Sequence, residues 1–178
     1  MELKIVAEDR YMPKYANDTD ACMDLKARIE NEVVEHPEMA AANMILDGFA
    51  QLAGVESMKD THDSIVIWPG TTRKVPSGVQ VAIPEGYVMK MYVRSSTGIK
   101  KNLCLANGTG IIDAGYRDEI IMALHNFGHD PVVIKDGDRI CQFMVLPFPK
   151  IELKRVEDDD DFQQGNRGGG IGSTDKIQ

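Results

Sequence analysis

A chain of 178 residues with a formal charge of −8 and an isoelectric point near 5.0 is long enough for one well-buried domain and short for two. Its negative mean field argues against nonspecific binding to nucleic acid or to an anionic membrane surface, while leaving room for an anionic small ligand wherever local arginines outweigh that field. Cys22, Cys104 and Cys141 are odd in number, widely spaced and without a CxxC pair, which speaks against a disulfide framework or zinc knuckle and for small reduced core residues.

Met1 to Arg10 holds Glu2, Glu8 and Asp9 and no apolar run, so neither a signal peptide nor a membrane anchor is expected and the default location is cytoplasmic. From Pro37 to Val55 the residues Ala42, Ile45, Leu46, Phe49, Leu52 and Ala53 recur at i, i+3, i+4 and i+7, with Gly54 near the end. This predicts one amphipathic helix in an insertion over 33–62. Its apolar stripe is expected to pack on its own domain; docking of a protein partner is the alternative. The rest reads as short strands: Ser64 to Trp68, Thr71 to Val75, Gly78 to Ile83, Tyr87 to Val93, Ile120 to Asn126, Val132 to Ile134, Arg139 to Pro147 and Lys150 to Val156. They are rich in Val and Ile and separated by turn pairs such as Pro69-Gly70 and Asp136-Gly137, the pattern of an all-β antiparallel sandwich or barrel. Glu157 to Asp161 is a like-charge run that repels itself. The glycines of Gln163 to Thr174 cannot hold one conformation alone. The expected organisation is therefore a β domain over 1–156 and an acidic linker with a flexible Gly-rich arm over 157–178. On composition the arm is a disordered tail, although an Arg followed by amides free of Cβ is also what an anion clamp requires.

Three segments have the residue types for chemistry. Arg94-Ser95-Ser96-Thr97-Gly98, read as a turn after a strand, offers a fixed positive charge and three hydroxyls, a set suited to phosphate oxygens and equally to a plain turn. Asn107 to Glu119 combines glycines, the pair Ile111-Ile112, Asp113 and Tyr116, as in a hairpin whose backbone comes near a ligand. An Asn amide both donates and accepts, enough to satisfy a nucleobase edge. Asp113, after two isoleucines, is expected to be partly desolvated and suited to holding a water. Gly137 to Phe143 begins as a turn and continues as a strand, with Arg139 and Gln142 expected inward. For Arg139, beside Asp138, a paired structural role is expected.

Together these segments resemble the five ordered motifs of the trimeric dUTPase family. Motif one corresponds to Ala21-Cys22-Met23-Asp24-Leu25, motif two to Arg94-Ser95-Ser96, motif three to Gly110–Glu119, motif four to Gly137–Gln142 and motif five to Arg167–Thr174. Cys22 and Met23 depart from the Gly-Tyr common in motif one, and Asp118 stands where motif three usually has Gly. Motif five is one residue shorter than the family pattern, with Ile171 in place of a Phe that stacks on uracil, a contact of about 1 kcal/mol.

The resemblance implies a distorted jelly-roll protomer in a homotrimer, each Gly-rich arm closing a neighbour's site. It implies a substrate, dUTP, cleaved to dUMP and pyrophosphate by water that Asp113 orients toward the α-phosphorus, and Mg²⁺ as cofactor, held mainly by phosphates and water with Asp24 contacting its water shell. Ser95, Ser96, Gln142 and Arg94 would bind or neutralise the phosphates, with Arg167, Ser173 and Thr174 joining from the arm. Asn107 and backbone groups of the stretch, at Gly110 and Ile112, would read the uracil edge under a cover of Ile171 and Gly172, and Tyr116 would pack under the deoxyribose. The related dCTP deaminases place a catalytic Glu seven residues beyond the motif-three aromatic, where this chain has Ala123. A binding module acting through the 33–62 insertion is the remaining alternative.

Overall fold

The computed structural model describes residues 2–30, 60–157 and 163–165. The helix expected over 37–55 and motif five lie outside the described residues. No described helix is long and apolar enough to cross a membrane.

Among the described residues eleven strands run in chain order: β1 (Lys4–Ala7), β2 (Met23–Lys26), β3 (Ser64–Ile67), β4 (Thr72–Pro76), β5 (Val79–Ala82), β6 (Tyr87–Val93), β7 (Leu103–Leu105), β8 (Gly110–Ile112), β9 (Ile121–Asn126), β10 (Val132–Lys135) and β11 (Arg139–Pro147), with α1 (Ser95–Lys101) between β6 and β7. Every pairing is antiparallel. They form sheets ordered β2-β11-β6-β8, β4-β9-β7, β1-β5 and β10-β3. The alternation seen in the sequence becomes a two-faced sheet: in β9, Met122, Leu124 and Asn126 point inward and Ile121, Ala123 and His125 do not, as a period of two requires. Leu25, Ile67, Val75, Val79, Met89, Leu103, Met122, Leu124, Ile134 and Phe143 belong to one core cluster that draws on all four sheets. The result is a distorted jelly roll.

The buried Asn126 shows how such a core tolerates a polar group. Its Nδ2 donates to the carbonyls of Ile67 and Asp130, both at 2.8 Å, and its Oδ1 accepts from the Gly128 amide at 2.9 Å. With those partners made, burial costs little, and β3 is tied to the end of β9.

Three expectations are corrected. Arg94 to Gly98 is not a turn: Arg94 is the extended N-cap residue of α1, and Asn102 closes the helix at φ 52°. The helix holds because Thr97, buried, donates its hydroxyl to the Ile140 carbonyl at 2.9 Å. Lys150 to Val156 forms no strand; Ile151 and Leu153 are 76% and 91% exposed. The first compact unit accordingly ends at Phe148, with a second from Pro149 onward. Finally, Asn107 to Glu119 is not a hairpin. β8 pairs with β6 and β9 with β4 and β7, so the chain between β8 and β9 crosses from one sheet to another.

Candidate active site

The segment after β6 is pinned from two sides. The Arg94 amide donates to the Ile140 carbonyl at 3.0 Å, and Asp24, in register with Gln142 across β2 and β11, accepts from the guanidinium: Arg94 Nε lies 2.9 Å from Asp24 Oδ1. Arg139 Nη1 reaches the other oxygen at 3.2 Å. Two cations on one carboxylate fix its plane, so Arg94 presents its remaining N–H groups in a defined direction. Asp20, Asp24, Arg94, Ser95, Ser96 and Gln142 line a cleft of about 450 Å³. Both serines are exposed, with hydroxyls available to a ligand. Among the described residues no cluster of three His, Cys, Asp or Glu side chains is arranged to hold a metal.

A second recess, of about 240 Å³, is lined by Met91, Asn107, Gly110, Ile112, Asp113 and Tyr116. At Gly110 a Cβ would stand 2.7 Å from Met91 Cε and 3.1 Å from Met91 Cβ, so a side chain there would have to displace the Met91 side chain. Beyond Ile112, which is buried, Asp113 leaves the strand and is exposed; its carbonyl accepts from the Tyr116 amide at 3.0 Å. That corrects the expected partial desolvation. The strand alternation buries Ile112 and turns its successor outward, so among the described residues none covers the carboxylate. The Tyr116 hydroxyl donates to the Glu119 carbonyl at 2.7 Å. No described residue lines both recesses.

The dUTPase family model matches residues 58–174. A deoxyuridine 5'-triphosphate nucleotidohydrolase of Desulfitobacterium hafniense is 39% identical over 123 residues, covering 68% of this chain and 80% of its own length. The chain belongs to the dUTPase family. The enzyme of that name from Caulobacter vibrioides is 38% identical over 110 residues, with coverages of 62% and 70%. Among solved structures, a dUTPase of Staphylococcus bacteriophage 80alpha superposes with a TM-score of 0.70 at 22% identity, over 97% of this chain and 98% of that one. A Streptococcus mutans dUTPase gives 0.60 at 22% identity, over 85% and 99%. These two likenesses are of fold.

Within this dUTPase-family protomer, Asp24, Arg94, Ser95, Ser96 and Gln142 come together in one recess and Asn107, Gly110, Ile112, Asp113 and Tyr116 in the other. Arg167, Ile171, Gly172, Ser173 and Thr174 lie outside the described residues. Arg139 is not inward: its side chain is 53% exposed and pairs with Asp24 rather than with Asp138, which instead lies 3.5 Å from Lys101 Nζ. Only Cys141 of the three cysteines is buried, and all three are free. At Ala123, in register with Lys74 of β4, no carboxylate is available for deamination.

Sequence reasoning missed Glu119 and Arg28. Arg28 donates to the Glu119 carboxylate through Nε at 3.0 Å and Nη2 at 2.5 Å, and the Gly78 amide donates to it at 2.5 Å. Burial alone pushes the Glu119 carboxyl up; the bonds from Arg28 and Gly78 outweigh it and hold the group below the usual carboxylate range. Arg28 and Glu119 stand 91 residues apart, too far for any local pattern to connect them.

Proposed function

We propose that the protein hydrolyses dUTP to dUMP and pyrophosphate, with Asp113 orienting water for in-line attack on the α-phosphorus. The observation that carries the reading is the split of the site. One recess offers Asp113 beside Asn107 and Tyr116; the other offers Arg94, Ser95, Ser96 and Gln142. A nucleoside triphosphate needs a base pocket and a polyanion cradle together, and a homotrimer that sets one protomer's first recess against a neighbour's second supplies both. Assembly also covers Asp113, strengthening its hold on the water. Arm exchange fits this arrangement: Ile151, Leu153 and Val156 have strand composition and exposed side chains, and the arm beyond them would bring Arg167, Ile171, Gly172, Ser173 and Thr174 over a neighbour's substrate.

Mg²⁺ fits the hard oxygen donors at Asp24, whose two oxygens each accept one guanidinium N–H and keep a lone pair for a water of the ion's shell. When bound among the phosphates it neutralises charge on the leaving pyrophosphate. Asn107 reads the uracil edge with backbone groups at Gly110 and Ile112, and Tyr116 forms the wall under the deoxyribose. A cytoplasmic site of action suits three free thiols.

Pyrophosphate release from dUTP, dCTP, dTTP and UTP with Mg²⁺ tests the reading. Turnover confined to dUTP is expected, and a trimer inactive on all four overturns it. Asp113→Asn is expected to lose about 10²–10⁴-fold in turnover while still binding nucleotide; full activity would remove Asp113 from its role. A protein partner at the 33–62 insertion is the second reading, favoured by the family match beginning only at residue 58. Excising residues 33–57 is then expected to leave dUTP turnover unchanged, and a loss would assign the insertion to the enzyme instead.

A further inference from the structure

The loop between β8 and β9 carries both Asp113 and Tyr116, passes from one sheet to another, and is exposed from Gly115 to Asp118. Something beyond its own turn has to fix it. One tie is local: Arg117 Nη1 donates to the carbonyls of Ala114 at 2.5 Å and Tyr116 at 2.8 Å. The other begins at the Tyr116 hydroxyl on the Glu119 carbonyl and continues through the Glu119 carboxylate to Arg28, just beyond β2, and to the Gly78 amide in the β4–β5 turn. Both anchors are themselves held. Glu30 accepts from Arg28 Nη1 at 2.7 Å. Gly78 sits at φ +70°, where a Cβ would lie 2.7 Å from Tyr11 Cδ2 and 3.1 Å from Arg28 Cδ, so only glycine brings its amide to that carboxylate without strain. Tyr11 is fully buried and donates to Asp136 at 2.6 Å.

Arg28 and Glu119 are 27% and 24% exposed, and a partly solvated pair contributes little net stability. Its forked geometry, with two donors from one rigid plane, makes it better suited to holding position than to holding the fold together. We infer that Glu119, gripped by Arg28 and the Gly78 amide, is a positioning residue that sets the tilt of the Tyr116 ring and thereby the discrimination between deoxyribose and ribose nucleotides. The inference rests on the reading of Tyr116 as the wall beneath the sugar. An aromatic ring fixed only at its Cα rocks about its side-chain torsions and yields to an added 2′-hydroxyl; one held at its phenol oxygen as well does not.

The test is the ratio of kcat/KM on dUTP to that on UTP in the full-length protein, for wild type, Tyr116→Phe, Arg28→Met and the double variant. Each single change is expected to lower the ratio about five- to tenfold, the factor corresponding to one net hydrogen bond. The double variant is expected to be no worse than the worse single one, since both act through one bond, and Arg28→Lys should recover part of the loss. An unchanged ratio in Arg28→Met, or effects that multiply in the double variant, overturns the inference. Should Arg28→Met fail to fold, Glu119→Gln takes its place: it keeps an acceptor for Gly78 and loses the charge that grips Arg28. A smaller fall in the same direction is expected, and an unaltered ratio overturns the inference. Wild-type protein without dUTP turnover would strike the proposed function itself, whereas normal turnover with unaltered ratios strikes this inference alone.

Discussion

Glu119 is a carboxyl whose small contribution to stability is expected to depend on pH. Its folded-state pKa is depressed by Arg28 and the Gly78 amide against the opposing effect of burial. The stabilisation it brings is therefore fully present above the ordinary glutamate value of about 4.3 and is lost as pH falls through the lower folded value. In urea unfolding of wild type against Glu119→Gln, the stability difference is expected to be widest near neutrality and to shrink below about pH 4. A difference independent of pH would mean that the charge contributes nothing. At this scale the sequence is legible where chemistry is local. Asn107, Asp113 and Tyr116 lie within one short stretch, and they share a recess. Asp24 and Gln142 were visible as motif residues, but that Asp24 holds both Arg94 and Arg139 depends on strand register, which the sequence does not display.

Among the elements, α1 and β11 give opposite predictions. Gly98 sits within α1, and its amide donates to the Arg94 carbonyl. A Cβ there would meet only Val93 Cγ2 at 3.6 Å and the Leu103 carbonyl at 3.8 Å, ordinary contact distances. Gly98→Ala is thus expected to stabilise the fold by about 0.5–1 kcal/mol, mostly by restricting the unfolded chain, measured by chemical denaturation; a destabilised variant would show that the helix needs its glycine. In β11, Phe143 is fully buried between β2 and β6, and Phe143→Ala is expected to cost about 3–5 kcal/mol by the same measurement. Strands such as β6, β9 and β11 were readable because they are long enough to display Val, Ile and alternation. β3, β5 and β10 have only four residues each and were still legible from Val and Ile; β1 and β2 are as short, but the Lys in β1 and the Asp and Lys in β2 break the apolar signal, and β7, with three residues, is too short for a period to appear. Arg94 to Gly98 reads as a turn because its hydroxyls and glycine are poor helix formers; what overrides that is the tertiary bond from Thr97 to Ile140. Lys150 to Val156 errs the other way, with strand composition in a segment that forms no strand.

At the scale of the whole molecule, the two recesses share no described lining residue, and in the proposed assembly each protomer would carry two half-sites. A chain spoiled in one half keeps the other intact. Asp113→Asn and Gln142→Ala protomers, each inactive as a pure homotrimer, are therefore expected to recover activity when unfolded together and refolded as a mixture. If chains assort at random, roughly a quarter of the sites in an equal mixture join two undamaged halves. Recovery near that fraction of wild-type turnover is the expected result, and none at all would mean that every site is built within a single chain. The same division carries a genetic consequence: two defective alleles of this one gene, damaged in different recesses, would complement each other in a single cell.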